Sequence, residues 1–392
     1  MSTAALLDAQ PRLRRDVLLG GAVLRGPGEI YRVKDLRSGR AFEVSGKEHF
    51  LLERLDGTRS LAAIGDDYAA VFGRRLGEAH WRQFVGLLAA RELLVPGDEP
   101  HTATPEASEP SAPGIVVAAQ RLVGFAITGG VLWPLLGMVV AMELYLALHL
   151  GELLDGGRWL LERPLLLIGV AGLVWFSAAL HELGHGLAAR HFGCPVTGIS
   201  LLTLRCTVDS YLYLRSPLRQ IVIAGSGALV NAALLLPIAV VWVVLPTSSE
   251  ARPALAGLLL VGSAQAMLNL IPLAPLDGYK MLGHGLRVAH LTTESRRFVH
   301  LLLRRAVGRG PGAAAYRSKA RLLYGLYALF GVVAATGAAV GVLLACRRLV
   351  TERFGSPGVV ITIAVLSMTL AGWLARPADS RTRPTTPKEE IR

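Results

Sequence analysis

Cysteine is scarce in this chain. Cys194, Cys206 and Cys346 are the three present, and no two form a CxxC pair. That supports neither a disulfide framework nor a cysteine zinc site. Charge is also sparse: charged residues make up 18% of the 392, hydrophobic ones 52%. Mean hydropathy is +0.45, too apolar for an ordinary soluble enzyme. Met1 to Ala22 contains acidic residues and no long apolar run, so it is not read as a signal peptide. What the chain has instead is several windows longer than 18 residues that are almost free of charge, the pattern of membrane-crossing helices.

The formal net charge is +12, and its distribution decides what it means. Residues 1–100 carry 15 Lys/Arg against 14 Asp/Glu. Residues 278–321 carry ten Lys/Arg and a single acid, Glu294. A near-neutral N-terminal part argues against nucleic acid as a partner. A basic loop between apolar segments is expected on the cytoplasmic side, facing membrane lipid.

Residues 1–18 read as a disordered or loosely packed lead-in. Residues 19–96 read as a small α+β domain. Ile30–Val33 and Ala41–Val44 alternate as strands do, with Arg37-Ser38-Gly39-Arg40 as the turn. Ser45-Gly46-Lys47-Glu48 is a capping box ahead of a helix expected to end at Asp56-Gly57. Ser60 caps a second helix. A third, from about 77 to 94, places Trp81, Phe84, Leu87 and Leu88 on one face. Two strands and three helices give a winged-helix-like module.

The hairpin, Phe42-Glu43-Val44-Ser45, the helix ending Leu55-Asp56-Gly57, and Ser60-Leu61-Ala62-Ala63-Ile64 resemble the PqqD-like family, the peptide-recognition element of modified-peptide pathways. The resemblance implies that residues 19–96 bind a leader peptide as an added strand. Main-chain hydrogen bonds would supply affinity and side-chain pockets selectivity.

Residues 97–116 read as a disordered linker, rich in Pro, Ala, Ser and Thr. Residues 117–376 read as a membrane domain with about six transmembrane helices, near 124–149, 165–190, 219–245, 254–276, 322–346 and 357–375. A tail, 377–392, follows. Placing the basic loop in the cytoplasm puts the N-terminal domain and the tail there too. The expected fold is therefore an α-helical multi-span protein of a bacterial cytoplasmic membrane with a small N-terminal α+β domain. Cys194 to Leu214 is strand-like but too interrupted to span, and reads as a short hairpin near the inner face.

His181-Glu182-Leu183-Gly184-His185 lies within the second apolar segment. Residues four apart share a helix face, so both imidazoles can reach one Zn2+, with Glu182 beside them as general base. Catalytic zinc usually takes a third protein ligand. His191 stands at one known offset. Ala188 occupies the position where a turning Gly is needed, and on a continuing helix His191 points away. Asp277 follows two prolines, Pro272 and Pro275, that break the fourth segment. His181 lies roughly 24 Å into its span, at a depth similar to Asp277 on the inner side of a core roughly 30 Å thick. An ionisable residue at that depth is by default a functional candidate.

His181 to His185, together with Asn269-x-x-Pro272-x-x-x-Leu276-Asp277-Gly278, resembles the site-2 protease family of zinc intramembrane metalloproteases. The resemblance covers about residues 165–280. It implies His181, His185 and Asp277 as zinc ligands, Glu182 as base, and a polypeptide near the inner membrane surface as substrate. It implies substrate contact for Asn269. Asn231, in Gly227-Ala228-Leu229-Val230-Asn231, stands where the family carries Gly-Pro-x-x-Asn, but without the proline.

Together the two resemblances predict a zinc endopeptidase that removes the leader from a ribosomally made, modified peptide. Cleavage of a membrane-bound signalling regulator is one alternative. A non-proteolytic peptide-handling or immunity protein is another.

Overall fold

The structure is a computed structural model and describes residues 3–95, 113–308, 312–341 and 344. The sixth expected span, the tail 377–392 and most of the expected linker lie outside the described residues. The N-terminal part comprises α1 (Thr3–Leu7), β1 (Val17–Arg25), β2 (Gly28–Asp35), β3 (Ala41–Ser45), α2 (Gly46–Leu52), α3 (Leu61–Phe72) and α4 (Glu78–Ala90). The strands form one sheet in the order β1-β2-β3. There are thus three strands rather than the expected two. β1 contains Gly20-Gly21, which dilutes its period-two pattern and hides it in the sequence.

The described residues of the lead-in, 3–18, are tied into the N-terminal part. Leu13 N–H donates to the Leu55 carbonyl at 2.8 Å and Arg14 N–H to that of Leu93 at 2.9 Å, and Leu6 is buried. The Ser60 cap forms as expected, with its side chain accepting from Ala63 N–H at 3.3 Å. α2 ends at Leu52, earlier than expected.

After Pro113 come α5 (Gly114–Val123), a 3-10 turn (Gly124–Ile127), α6 (Gly129–Leu148), α7 (Leu150–Leu161), α8 (Pro164–His191), β4 (Val196–Ser200), β5 (Arg205–Val208), a second 3-10 turn (Tyr211–Tyr213), α9 (Pro217–Val244), α10 (Ala251–Leu270), α11 (Asp277–Leu286) and α12 (Leu291–Ala306). A last helix, α13, covers Ser318–Gly341. Among the described residues α6, α8, α9, α10 and α13 are long and apolar enough to cross a membrane. They coincide with the first five expected spans. β4 and β5 pair antiparallel, with Ile199 opposite Cys206 and Ser200 opposite Arg205, the short hairpin expected between the second and third spans.

The chain divides into two compact units. One gathers the described residues of Met1–Gly21, Arg32–Ala41 and Lys47–Leu286. Within it, Leu235, Ala239, Trp242 and Leu259 form the middle of the helical core with Met142 and Leu146. Leu187, Ala188, Val196 and Ile223 form a second cluster with Val116 of α5, which seats the β4–β5 hairpin on the end of α8. Gly184 lets α8 approach α9: a Cβ there would lie 2.9 Å from Val230 Cγ2 and 3.1 Å from the Ser226 carbonyl oxygen.

The second unit gathers Ala22–Tyr31, Phe42–Gly46 and the described residues from Arg287 onward. In it Leu24 N–H donates to the Arg287 carbonyl at 2.8 Å and accepts from Ala289 N–H at 2.9 Å. Phe298 of α12 packs edge-on against Tyr316, with centroids 5.4 Å apart.

Candidate metal centre

α8 carries His181 and His185 one turn apart, and both side chains face inward and are buried. α10 ends at Leu270, where the Ile271-to-Leu276 segment with its two prolines breaks the helix. α11 restarts at Asp277, which is also buried. His181 Nε2 lies 2.9 Å from Asp277 Oδ2 and His185 Nε2 lies 3.1 Å from the same oxygen. The two Nε2 atoms are 3.1 Å apart. Among the described residues this is the group of His, Cys, Asp or Glu side chains able to hold a metal ion.

The proton positions test whether a metal fits. His185 Nδ1 lies 2.8 Å from the Ile223 carbonyl oxygen. A carbonyl only accepts, so His185 Nδ1 carries the hydrogen and donates it. The neutral ring then has a bare lone pair at Nε2, directed at His181 and Asp277. That is the arrangement in which metal-bound imidazoles are held by an outer hydrogen bond. Tetrahedral zinc with bonds of 2.0–2.1 Å sets its ligand atoms about 3.3 Å apart, close to the separations found. Two histidines and one carboxylate fit zinc.

The residues that shape this triad were not all legible. His181 Nδ1 lies 3.2 Å from one end of the Asn231 side-chain amide, and the Ser177 hydroxyl lies 3.1 Å from the other. With the amide turned so that its oxygen accepts from His181 Nδ1 and its NH2 donates to Ser177, the His181 Nε2 lone pair is free for a metal as well. Asn231 is 1% exposed. It lies beside the His181 ring, enclosed by α8 and α9. Gly227, one turn earlier on α9, leaves room for the His181 ring. Ser177 could have been found from its position four residues before His181 on the same face.

Lys280 is a second residue that sequence reasoning missed. Its ammonium donates to Asp277 Oδ1 at 2.8 Å, so one carboxylate oxygen serves the histidines and the other is bound by the cation. Its place three residues after Asp277 on α11 is the signal. Burial on its own would raise the Asp277 carboxyl. Its close approach to His181 and His185 and the hydrogen bond from Lys280 outweigh it and hold the group well below the usual carboxylate range. Burial would likewise lower the Lys280 ammonium, but Asp277 keeps it above its ordinary value, with a further contribution from Glu182.

Glu182 is half-buried. Its charge reaches Lys280 and also the Cys206 thiol on β5, which burial and Glu182 push up to about 11. Asn269 is half-buried and donates its Nδ2 back to the Gln265 carbonyl at 3.3 Å, within its own helix. His191, the rejected alternative ligand, is exposed and lies edge-on to Phe192.

No family model matches the chain, and no solved structure matches it. It is similar to a protein of Synechocystis sp. named "Putative zinc metalloprotease sll0528", with 29% identity over 131 residues. The matched stretch is 33% of this chain and 33% of the relative, so the chain spans about a third of the curated relative it matches. The findings agree at this level: a chain with membrane-length helices, a buried His-His-Asp constellation suited to a metal, and a distant likeness to a protein named as a zinc metalloprotease.

Proposed function

We propose that the chain is a zinc-dependent, membrane-embedded endopeptidase of the site-2 protease type. The observation that carries this reading is the convergence of three donor atoms, with the Ile223 carbonyl accepting from His185 Nδ1–H and so leaving the Nε2 lone pair free. Zinc bound there would polarise the scissile carbonyl and acidify water. Glu182, adjacent to His181 on α8, takes the proton of the attacking water and delivers it to the leaving amine. Asn231 and the Ile223 carbonyl hold the two rings in place. Lys280 holds the far oxygen of Asp277 and stabilises its ionised form. Asn269, at the broken end of α10, is assigned to the substrate side.

The substrate in this reading is a peptide brought by residues 19–96, a PqqD-like recognition domain, and the reaction is removal of its leader. The resemblance of the hairpin and the Ser60 helix supports that assignment. The protein works in the bacterial cytoplasmic membrane with its N-terminal domain in the cytoplasm, as the charge of residues 278–321 favours.

The decisive experiment is Glu182→Gln in the full chain, with metal content and peptide cleavage measured on the same preparation. Zinc is retained and cleavage falls by several orders of magnitude. Cleavage that persists with zinc bound would remove Glu182 from the mechanism. Binding of a leader peptide to the full chain, unaffected by Glu182→Gln, separates recognition from catalysis.

A further inference from the structure

Away from the metal centre, a cleft of about 550 Å³ lies between the segment leading into β1, the end of α2 and the approach to α9. Arg14, Arg15, Arg54, Arg59 and Arg215 line it, against two acids, Glu53 and Asp56. The arginines are unequally satisfied. Arg14 is buried and bound to Asp16 and Asp35. Arg54 and Arg59 share one carboxylate, Asp67, at 3.5 and 2.7 Å. Asp56 is occupied by Thr58, whose N–H and hydroxyl donate to it at 2.8 and 2.7 Å. Arg15 and Arg215 are exposed, and among the described residues neither has an ion-pair partner. Leu13, Val17, Leu19, Leu52 and Leu55 complete the wall, so the cleft is cationic and apolar at once.

Its position narrows the ligand. Arg215 stands two residues before Pro217, the first residue of α9, which is long and apolar enough to cross a membrane. A basic side chain at the end of a span lies at the level of the lipid headgroups. Leu218 next to it is 57% exposed, as a lipid-facing residue would be. A guanidinium pair offers the forked donors that match phosphate oxygens, and the leucines offer a surface to the glycerol and the start of an acyl chain. An acidic peptide would also answer the arginines, but the adjoining span end and the exposed Leu218 favour a lipid.

We propose that this cleft binds the phosphate of an anionic phospholipid headgroup, clamped by Arg15 and Arg215 with Arg54 and Arg59 behind them. Lipid then bridges the lead-in to β1 and the start of α9. The site is separate from the metal centre and does not depend on the protease reading.

The test uses the full chain, stripped of lipid in neutral detergent, and compares the thermal midpoint and retained lipid after adding phosphatidylglycerol, phosphatidylcholine, inorganic phosphate or an oligoglutamate peptide. Phosphatidylglycerol raises the midpoint and is retained; the other three do neither. In the Arg15→Gln/Arg215→Gln variant the midpoint without lipid is unchanged, because neither side chain holds an ion pair, and phosphatidylglycerol binds roughly 30-fold more weakly, as expected for two basic residues at an anionic surface. Arg215→Gln alone gives an intermediate loss if the double variant does not fold. Equal retention of the two lipids overturns the proposal. A phosphatidylglycerol response that survives the double substitution belongs to other basic surfaces and overturns it as well. A response to inorganic phosphate alone assigns the cleft to a free anion, and one to oligoglutamate assigns it to a peptide; each overturns the lipid.

Discussion

The ring of His181 lies so close to Gly227 that a Cβ built on Gly227 would come within 2.6 Å of Nε2, Cε1 and Cδ2. Gly227 and Asn231 stand one turn apart on α9, one making room for the ring and the other hydrogen-bonding it. Gly227→Ala should favour the helix intrinsically, by about 1 kcal/mol. It must nevertheless displace His181. The expected outcome is a helix content equal to wild type with zinc affinity reduced roughly 10- to 100-fold, the range for lost support of a metal ligand. Competition with a chromogenic chelator measures it. Unchanged affinity would show that His181 reaches the metal from another rotamer.

Lys280 and Asp277 form the next testable pair, 2.8 Å apart. Asp277 is 4% exposed, so removing the ammonium leaves Oδ1 enclosed without its cation. That costs on the order of 1–3 kcal/mol. Lys280→Met should lower turnover roughly tenfold or more, while zinc stays bound through the two histidines and Oδ2. Lys280→Arg should recover part of the loss because it restores the donor. Metal content and turnover, measured together, separate a positioning role from loss of the site. Full turnover in Lys280→Met would leave the contact without consequence.

Much of this site is legible in the sequence because its chemistry is local. His181 and His185 need only a helical repeat to share a face, and Asp277 needs only two prolines to end a helix beside it. Asn231 is different. Its neighbour depends on how α8 packs against α9, and that is decided by small residues such as Gly184 and Gly227 whose contacts no periodicity reveals. The same limit hid β1, where Gly20-Gly21 weakens the alternation, and α7, whose small residues pack against α10 rather than marking a turn. The expected membrane helices were legible for the opposite reason. Length and apolarity alone identify them, and five of the expected spans lie where composition puts them.

The last prediction concerns acidity away from the ligands. His284 of α11 lies edge-on to Tyr211, with ring centroids 5.5 Å apart, and its Nε2 is enclosed without a hydrogen-bond partner. Burial lowers its pKa from the ordinary 6.5 to about 4, and the positive charges of Arg32 and Lys280 push it the same way. The folded chain therefore holds this imidazole neutral at pH values where the unfolded chain already protonates it. Between about 6.5 and about 4 the unfolded state binds more protons, so stability rises with pH across that window. The contribution is fully present above 6.5 and is lost progressively as the pH falls towards 4. Its size is on the order of 1–3 kcal/mol. Thermal midpoints of the detergent-solubilised chain should fall between pH 7 and pH 5, and the fall should be smaller in His284→Gln, which cannot titrate. Comparing the two proteins cancels the contribution of every group that both retain. An identical pH dependence in the two would mean that His284 takes up its proton in the folded chain without cost, against the enclosure and the two cations that face it.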